Sequence, residues 1–469
     1  MQDKVANMES THSNELFSEK FRPQLHFTPA RNWINDPNGL LFHKGKYHLF
    51  YQRNPHGDLW GNMSWGHAVS TDLFHWKEQP TAIACTDTEG IFSGSAVVDH
   101  HNTSGLGSAE NPPLIAIYTV HHNDESNQAQ HIAYSLDEGM TWEKYEGNPV
   151  LDLGMKDFRD PKVFWDEKTS AWTMVVAKPE EKKIAFFQSP DLKNWSHLSD
   201  FGPHGATGGC WECPDLFPLT TPSGVTQWVL LVSLNPGGPT GGSGTQYFIG
   251  DWDGKEFIER ESGEAQWLDR GRDNYAGVTF SNTGNRRIIM GWMSNWEYAS
   301  KIETSPWRGA MTLPRELSLS SNNGIFQLHL QPVAEFSKLQ SEFVGEGDPL
   351  ELQEITATIN GDESLTIKVS DGNGRYLEFG YSAKKRSLFV DRYHAWFGEY
   401  QNNYQESHVE GKKVVIQAII DRGAIEVATD SGKALITSLH LLDGDFYNIE
   451  VTHGDSSKIK RRRLFTTHS

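Results

Sequence analysis

Cysteine is scarce in this sequence, with only Cys85, Cys210 and Cys213 present. So small and odd a number of cysteines excludes a scaffold built from disulfide bonds. Cys210 and Cys213 form a C-x-x-C pair, but the second pair that would complete a zinc site is missing. The segment 121–125, HHNDE, stands among Asn and Ser residues, which indicates a loop. We therefore expect no metal site.

Long apolar runs and an excess of positive charge are also missing. No stretch of about 18 apolar residues occurs, so no transmembrane helix is expected. Lys and Arg number 42 against 61 Asp and Glu, a formal charge of −19. Proteins that bind nucleic acids neutralise phosphates with Lys and Arg, and anionic membranes attract the same residues. Nucleic acid and membrane partners are therefore not expected, whereas a neutral or cationic substrate remains open.

The N-terminal segment 1–20 is polar and has no apolar core of a signal peptide. If the natural chain starts at Met1, we expect a cytoplasmic protein. If a signal peptide once preceded this segment and was removed, we expect a secreted one.

Two repeats do appear in the sequence. The first is Ser-x-Asp followed by Trp four or five residues after the Asp, at Ser70–Trp76, Ser135–Trp142 and Ser189–Trp195. The second is a short polar motif that opens a strand-like run, followed by a turn and another strand. Its five copies begin at Asp36, Ser93, Asp160, Glu212 and Tyr275. Five β-rich units of similar length are typical of a five-bladed β-propeller, with an irregular β-sandwich as the alternative.

The repeats stop near residue 328, which suggests a domain boundary. We expect a propeller over 21–327, a linker over 328–338 and a second domain over 339–469. Alternating strands such as ATINGDESLTIKVSD and KKVVIQAIID predict an antiparallel β-sandwich there. The basic run KIKRRR, 458–463, is expected to be a solvated terminus.

Three of the five repeat openings are carboxylates. If the openings line the central channel, Asp36, Asp160 and Glu212 converge there although they are far apart in sequence. Carboxylates that share a pocket repel each other and separate their pKa values, and a carboxylic acid beside a carboxylate is what glycoside hydrolysis needs. Alternative structural roles remain open at this point, a turn start for Asp36 and an ion pair with Arg159 for Asp160.

Aromatic and amide side chains lie near these motifs in the sequence. Aromatic faces suit sugar rings, although each Trp is also a candidate core residue. The aromatic candidates are Trp33, Trp60, Trp65 and Trp307, and the polar candidates for sugar hydroxyls are Asn35, Gln52 and Ser93.

Four motifs carry a resemblance to a known family: WINDPNG at 33–39, FSGS at 92–95, FRDP at 158–161 and WECP at 211–214. They resemble glycoside hydrolase family thirty-two, the invertase, inulinase and levanase family. Further similar stretches are GGSGTQYFIGDWDG, GWMSNWEY and SPWRG, and LFVDR extends the likeness into the second domain. The dense part of the resemblance covers about residues 22–320.

The resemblance implies an all-β fold, a five-bladed propeller followed by a β-sandwich, and retaining hydrolysis of β-fructofuranosides without a cofactor. Asp36 then matches the nucleophile, Glu212 the general acid and base, and Asp160 the transition-state stabiliser acting with Arg159. The positions that match the terminal-fructose pocket are Asn35, Gln52, Trp60, Ser93, Arg159 and Trp307. The expected substrates are sucrose and the ends of inulin and levan.

Several alternatives remain open. The same site suits a fructosyltransferase, a non-catalytic carbohydrate-binding propeller or an inverting arabinan-cleaving enzyme. The segment 393–400, YHAWFGEY, and GAIEVATD depart from the family's usual text. Both lie in the expected sandwich, so they leave open the distal subsites and a homo-oligomer contact through that domain.

Overall fold

The computed structural model describes residues 16–260, 263–345, 351–396, 403–409, 411–444 and 447–467. Regular structure in these ranges is almost entirely β-strand, as the many short β-branched and aromatic runs predict. Short 3-10 helices occur at Ala299–Lys301, Ala334–Leu339, Tyr393–Ala395 and Ser456–Lys458. None of the helices in these ranges is long and apolar enough to cross a membrane.

The first part of the chain forms five antiparallel sheets, each built from four consecutive main strands. The first sheet holds β1 (Asn32–His43), β2 (Lys46–Arg53), β3 (Ser64–Ser70) and β4 (Lys77–Ile83). The second holds β5 (Glu89–Val98), β6 (Leu114–His122), β7 (Gln128–Ser135) and β8 (Glu143–Lys144). The third holds β9 (Arg159–Asp166), β10 (Ala171–Lys178), β11 (Lys183–Ser189) and β12 (Ser196–Phe201).

The fourth sheet has one additional short strand, and the segment that forms the fifth sheet contains a short strand that joins the first sheet. The fourth holds β13 (Cys210–Thr220), β14 (Thr226–Asn235), β15 (Gly244–Trp252) and β16 (Phe257–Glu259), with β17 (Gln266–Trp267) also on β15. The fifth holds β18 (Tyr275–Thr279), β19 (Ile288–Trp292), β21 (Arg315–Asn322) and β22 (Ile325–Pro332). Between β19 and β21, the strand β20 (Trp307–Arg308) leaves the fifth sheet and pairs in parallel with β1.

The first strands of the five sheets contact one another in a closed ring, in the order β1, β5, β9, β13, β18 and back to β1. Sheets arranged radially around such a ring are the blades of a propeller, and the first strands line its axis. The expected five-bladed propeller is therefore confirmed, and the repeat openings lie on the inner strands.

Each inner strand carries a β-bulge at its repeat motif. The register shifts lie between Ile34 and Pro37 in β1, Ile91 and Gly94 in β5, Arg159 and Lys162 in β9, Glu212 and Asp215 in β13, and Tyr275 and Val278 in β18. A bulge interrupts the regular alternation of side chains and turns one of them toward a new direction. The polar motifs are therefore presented at the same point of every blade.

The Ser-x-Asp…Trp repeats form turns at the third strands of the first three blades. In the second blade Ser135 donates to Asp137 at 2.8 Å, Asp137 accepts from the N–H of Thr141, and the Trp142 indole donates to the carbonyl of Gly139. The first and third blades repeat the Ser–Asp bond and the indole bond. These carboxylates satisfy turn N–H groups, so their role is structural.

The second part of the chain is a sandwich of two antiparallel sheets, as expected. One sheet holds β23 (Gln340–Val344), β24 (Gln353–Asn360), β29 (Lys413–Asp421), β30 (Ala424–Thr429), β31 (Leu435–Leu439) and β33 (Ile459–Leu464). The other holds β25 (Leu365–Ser370), β26 (Tyr376–Ser382), β27 (Ser387–Asp391), β28 (Tyr404–His408) and β32 (Asn448–His453). Alternate residues of both sheets fill one apolar core, among them Ile355, Phe379, Leu388 and Val427.

Two sequence expectations need correction. The linker expected over 328–338 begins inside β22, because Leu328 and Leu330 alternate into an apolar cluster of the fourth and fifth blades. The basic run 458–463 is not a solvated terminus, because 459–464 forms β33 inside the sandwich sheet. Arg461 is buried there, and its guanidinium donates to the Gln353 side chain at 3.0 and 2.8 Å.

A buried cluster of charged side chains joins the propeller and the sandwich. His26 Nδ1 lies 2.8 Å from Asp421 Oδ2, and its Nε2 lies 3.2 Å from Glu426 Oε1. Glu426 also accepts from Arg315 Nε at 3.0 Å. Because buried charges are tolerated only with partners, each side chain of this cluster depends on the other part of the chain.

Candidate active site

The three carboxylates singled out in the sequence meet at the axis of the propeller. The thiol of Cys213 lies 3.5 Å from Oδ2 of Asp36 and 3.5 Å from Oδ2 of Asp160. The backbone N–H of Cys213 also donates to Asp160 Oδ2 at 2.9 Å. Glu212, the preceding residue, acts electrostatically on both aspartates. Inner strands from three different blades thus place their carboxylates in one pocket.

Asp36 is nine-tenths buried and firmly held. Its Oδ2 accepts from the Ser93 hydroxyl at 2.7 Å, and its Oδ1 accepts from the Asn35 amide at 3.1 Å. The Trp33 indole in turn fixes Asn35 through a bond of 2.8 Å to Oδ1 of Asn35. Burial and the charge of Glu212 raise the pKa of Asp36, while the bonds from Ser93 and Asn35 oppose that rise.

Asp160 is 6% exposed, and its pKa is raised to about 7. Burial is the main cause, the charge of Glu212 adds to it, and Arg159 counteracts both. A carboxyl group with such a pKa changes its protonation state near neutral pH, as catalytic groups often do. Repulsion from Glu212 thus contributes to the raised pKa of both Asp36 and Asp160, as is expected when carboxylates share a pocket.

Backbone strain accompanies the bulges at this site. Asp160, Cys213 and Ala276 have φ values of +68°, +47° and +54°, in the left-handed region that residues with a Cβ rarely adopt. Each such conformation costs on the order of 1–3 kcal/mol, persists only where the surrounding structure enforces it, and is common at active sites. In all three strands it falls in the bulge that re-aims the site residues.

Glu212 is held from two sides. Arg159 donates from Nε and Nη2 to Glu212 Oε1 at 3.0 and 2.9 Å, while Tyr275 donates its hydroxyl to Oε2. Arg159 also donates to Asp157 at 2.7 Å and to Gln128 at 3.1 Å. The resemblance implies that Arg159 acts with Asp160 on fructose hydroxyls, which stays a prediction; the hydrogen bonds of Arg159 in the structure go to Glu212, Asp157 and Gln128.

The remaining sequence candidates divide into those near this pocket and one that is not. Gln52 is buried beside it and donates to Asn38 at 2.8 Å and to the Ile91 carbonyl at 3.0 Å. Trp60 is 49% exposed and meets the ring of Phe92 edge to face at 6.1 Å. Since Phe92 immediately precedes Ser93, the exposed ring of Trp60 lies on the solvent side of this pocket.

Trp307 is not brought into this group. Its ring lies under the guanidinium of Arg22, 4.6 Å from the ring centre, and it lines a small cavity with Trp396 and Leu441 of the sandwich. The two-residue strand β20 does pair with β1 beside Asn32. The match of Trp307 to the family motif thus did not predict the direction of its side chain.

Sequence reasoning missed two aromatic residues at the site. Tyr275 opens the fifth repeat. Its place at a repeat opening, equivalent to that of Glu212, could have predicted that it lies at the site. Trp296 stacks on Trp33 at 5.9 Å, within an apolar cluster that contains Cys213 and Tyr275. It lies in the segment GWMSNWEY, which was noted only as a likeness to the family.

The two cysteines of the C-x-x-C pair face different neighbours. Cys210 donates to Glu180 at 3.2 Å, whereas Cys213 faces Asp36 and Asp160. All three cysteines are free. In the ranges that the structure describes, no group of three or more His, Cys, Asp or Glu side chains has an arrangement suited to a metal ion.

The chain matches two family models along most of its length. The N-terminal domain of glycosyl hydrolases family 32 matches residues 26–332, and the family 32 C-terminal region matches 326–462. A levanase from Bacillus subtilis is 42% identical over 471 residues, covering 93% of this chain and 69% of the levanase. An extracellular exo-inulinase from Aspergillus niger is 37% identical, covering 90% of each chain.

Solved structures agree with these matches. The exo-inulinase from Aspergillus awamori has a TM-score of 0.89 at 35% identity, covering 96% of this chain and 99% of that one. The β-fructofuranosidase from Schwanniomyces occidentalis, complexed with fructosyl-erythritol, has a TM-score of 0.86 at 33% identity, covering 96% and 98%. The propeller, its three gathered carboxylates and these matches define a glycoside hydrolase. More particularly, the chain belongs to glycosyl hydrolases family 32.

Proposed function

We propose that this chain is a retaining exo-β-fructosidase, which removes terminal non-reducing β-D-fructofuranosyl residues from sucrose, inulin and levan. The observation that carries the proposal is the meeting of Asp36, Asp160 and Glu212 around Cys213. Asp36 and Asp160 are both more than nine-tenths buried. Carboxylates this deeply buried favour a chain end over an internal sugar as the substrate.

In the first step, a carboxylate oxygen of Asp36 attacks the anomeric carbon of the terminal fructose. The bond from that carbon to the leaving oxygen breaks, and Glu212 gives its proton to this oxygen. The product is a fructosyl ester of Asp36 together with the released sugar. Asn35 and Ser93 hold the attacking carboxylate, so it needs little reorientation during the reaction.

In the second step, water replaces the ester. Glu212, now ionised, takes one proton from a water molecule, whose oxygen bonds to the anomeric carbon while the bond to Asp36 breaks. Fructose leaves with retained configuration, and both carboxyl groups return to their starting states. Asp160, beside both of them, is proposed to bind fructose hydroxyls and to stabilise the positive charge that develops at the ring.

Release of free fructose from sucrose, inulin and levan tests the proposal. Asp36→Ala and Glu212→Ala are each expected to lower turnover of sucrose by several orders of magnitude while the circular dichroism spectrum stays that of the wild type. Leu59→Ala serves as an exposed control. Near-wild-type turnover in either carboxylate variant contradicts the roles, and fructan binding without hydrolysis by the wild type indicates a binding protein.

A fructosyltransferase uses the same covalent intermediate and differs only in its acceptor. Product analysis at high sucrose separates the two activities, since abundant oligosaccharides identify transfer and free fructose identifies hydrolysis. Rates on inulin and levan then rank the β-2,1 and β-2,6 linkages.

The proposal also includes the domain division and self-association. We place the boundary between a catalytic propeller and a sandwich after Pro332, where β22 ends. Phe343, on the edge strand β23, and Phe465 are each more than half exposed, which favours a homo-oligomer contact through the sandwich. Light scattering of the wild type and of Phe343→Ser is the test, and a monomeric wild type contradicts it.

A further inference from the structure

The loop that precedes the inner strand of the fifth blade pairs with the sandwich. The N–H of Arg270 donates to the Leu435 carbonyl at 3.0 Å, and the N–H of Asp273 donates to the Thr437 carbonyl at 3.2 Å. Gly271 lies so close to this strand that a Cβ there would approach the Thr437 oxygen to 2.1 Å. The segment 269–273 therefore lies along β31 and is held there by backbone hydrogen bonds, although it belongs to the propeller sequence.

A buried ion pair locks the end of this loop. Arg392, from the LFVDR motif in the sandwich, donates to Asp273 Oδ2 at 2.8 Å and to the Tyr298 hydroxyl at 2.9 Å. Asp273 Oδ2 also accepts from the N–H of Leu439 at 2.8 Å, and its Oδ1 accepts from Tyr298. Both charged side chains are completely buried, so each depends on the other for compensation.

Tyr275 follows Asp273 by two residues and reaches the proposed acid. Its side chain is 1% exposed, and its hydroxyl donates to Glu212 Oε2. The other oxygen of Glu212 is held by Arg159, which comes from the third blade. The orientation of the Glu212 carboxyl group thus depends on a tyrosine that directly follows a segment anchored on the sandwich.

We propose that Asp273 and Arg392 are positioning residues for Glu212, so that the sandwich sets the direction of the acid's carboxyl group through Tyr275. This inference rests on the proposed role of Glu212 as general acid. It assigns the sandwich a part in catalysis that proceeds through three specific side chains and not through stability alone.

The test compares two substrates with Asp273→Asn and Tyr275→Phe. Sucrose needs a proton on its leaving oxygen, whereas β-fructosyl fluoride has a leaving group that needs no such proton. The quantity measured is kcat/KM, which reports the steps up to the breaking of the glycosidic bond. General acid catalysis contributes on the order of 10²–10⁴-fold, so we expect a loss of about tenfold or more on sucrose and little loss on the fluoride.

The matched control is Glu426→Gln, which breaks another fully buried pair between propeller and sandwich, that with Arg315. Neither residue of this pair is close in sequence to Tyr275. The variant should therefore lose stability without changing the ratio of kcat/KM on the two substrates. The double variant Asp273→Asn/Tyr275→Phe should change that ratio no more than Tyr275→Phe does, because both substitutions break the same connection.

Asp273→Asn leaves Arg392 without its charged partner and risks misfolding. If Asp273→Asn misfolds, the double variant Asp273→Asn/Arg392→Met replaces it, because it removes both charges together. The same two substrates are then compared. Equal losses on sucrose and on the fluoride in these variants overturn the inference and leave a purely structural pair. The proposed function fails separately, if Asp36→Ala or Glu212→Ala keeps near-wild-type turnover of sucrose.

Discussion

Ser93 donates its hydroxyl hydrogen to Oδ2 of Asp36 across 2.7 Å, from the inner strand of the next blade. This bond favours the ionised carboxylate, whereas burial and the charge of Glu212 raise the pKa of Asp36. In the proposed mechanism Asp36 attacks only when ionised, so we expect activity to fall as the pH drops through its pKa. Ser93→Ala should therefore move the acidic limb of the kcat/KM profile on sucrose to higher pH.

Ser93→Thr keeps the hydroxyl group and is the control for this prediction. Its acidic limb should stay near that of the wild type, even if the added methyl group lowers the rate at every pH. An unchanged limb in Ser93→Ala would show that this bond does not govern the ionisation of Asp36.

The exposed ring of Trp60 gives a second prediction. We expect Trp60→Ala to lower kcat/KM on sucrose and inulin by about 5–150-fold, since an aromatic contact with substrate contributes roughly 1–3 kcal/mol. Half of this side chain is already in solvent, so the melting temperature should change little. Initial rates and thermal unfolding measure the two effects.

Leu59 provides a matched control for Trp60, because it is its neighbour and is 53% exposed. Leu59→Ala should leave both the rates and the melting temperature near the wild-type values. Equal rate losses in the two variants would indicate a loop defect and not a lost sugar contact.

The cluster around His26 predicts a loss of stability at alkaline pH. Burial alone would lower the pKa of His26, but hydrogen bonds to Asp421 and Glu426 reverse this and raise it to about 9. Its contribution to the free energy of unfolding is complete below the unfolded pKa of about 6.5 and disappears as the pH rises through 9. The difference corresponds to about 3 kcal/mol, an order-of-magnitude value.

Urea unfolding at pH 6 and pH 10 measures this contribution. The wild type should be more stable than His26→Gln at pH 6, and the gap should narrow at pH 10. A gap of constant size would mean that packing of the ring, and not its charge, accounts for the effect.

A buried pair of histidines, His48 and His67, predicts a loss of stability at acidic pH. His48 Nδ1 lies 3.1 Å from His67 Nε2 inside the first blade. Burial, with smaller effects of neighbouring positive charge, lowers the pKa of His48 to about 4 and that of His67 to about 3. The unfolded chain binds protons at these residues below pH 6.5, so stability should fall as the pH drops from 6.5 toward 3.

Replacing both rings by phenylalanine removes this sensitivity and leaves no unpaired nitrogen. The melting temperature of His48→Phe/His67→Phe should fall less than that of the wild type between pH 7 and pH 4.5. His197→Phe, at an exposed histidine, should behave like the wild type. Parallel pH curves for the double variant and the wild type would contradict the prediction.

The sequence predicts those site residues that open a repeat, because the repeats show which residues occupy equivalent places in the blades. Asp36, Asp160 and Glu212 were recognisable because they open equivalent repeats, and equivalent repeats become equivalent strands around one axis. Tyr275 opens a repeat too, but YAGVTF reads as an ordinary buried strand, and its contact with Glu212 depends on a register that only the fold defines.

Other failures have similar physical causes. The direction of Trp307 depends on a two-residue strand that pairs with β1 at the other end of the propeller sequence. The run KIKRRR was read by its charge, yet Arg461 is compensated by Gln353, which lies more than 100 residues earlier. The residues near Trp307 and Arg461 in the sequence do not predict that their partners are β1 and Gln353.

The parallel pairing of β20 with β1 has a consequence for synthesis. It joins the first propeller strand to residues near 308, and the bridge between Leu41 and Ser281 acts in the same way. A nascent chain therefore cannot close its ring until nearly the whole propeller has left the ribosome. Until then both open edges expose unpaired backbone groups, so the growing chain is most prone to aggregate just before it completes the circle.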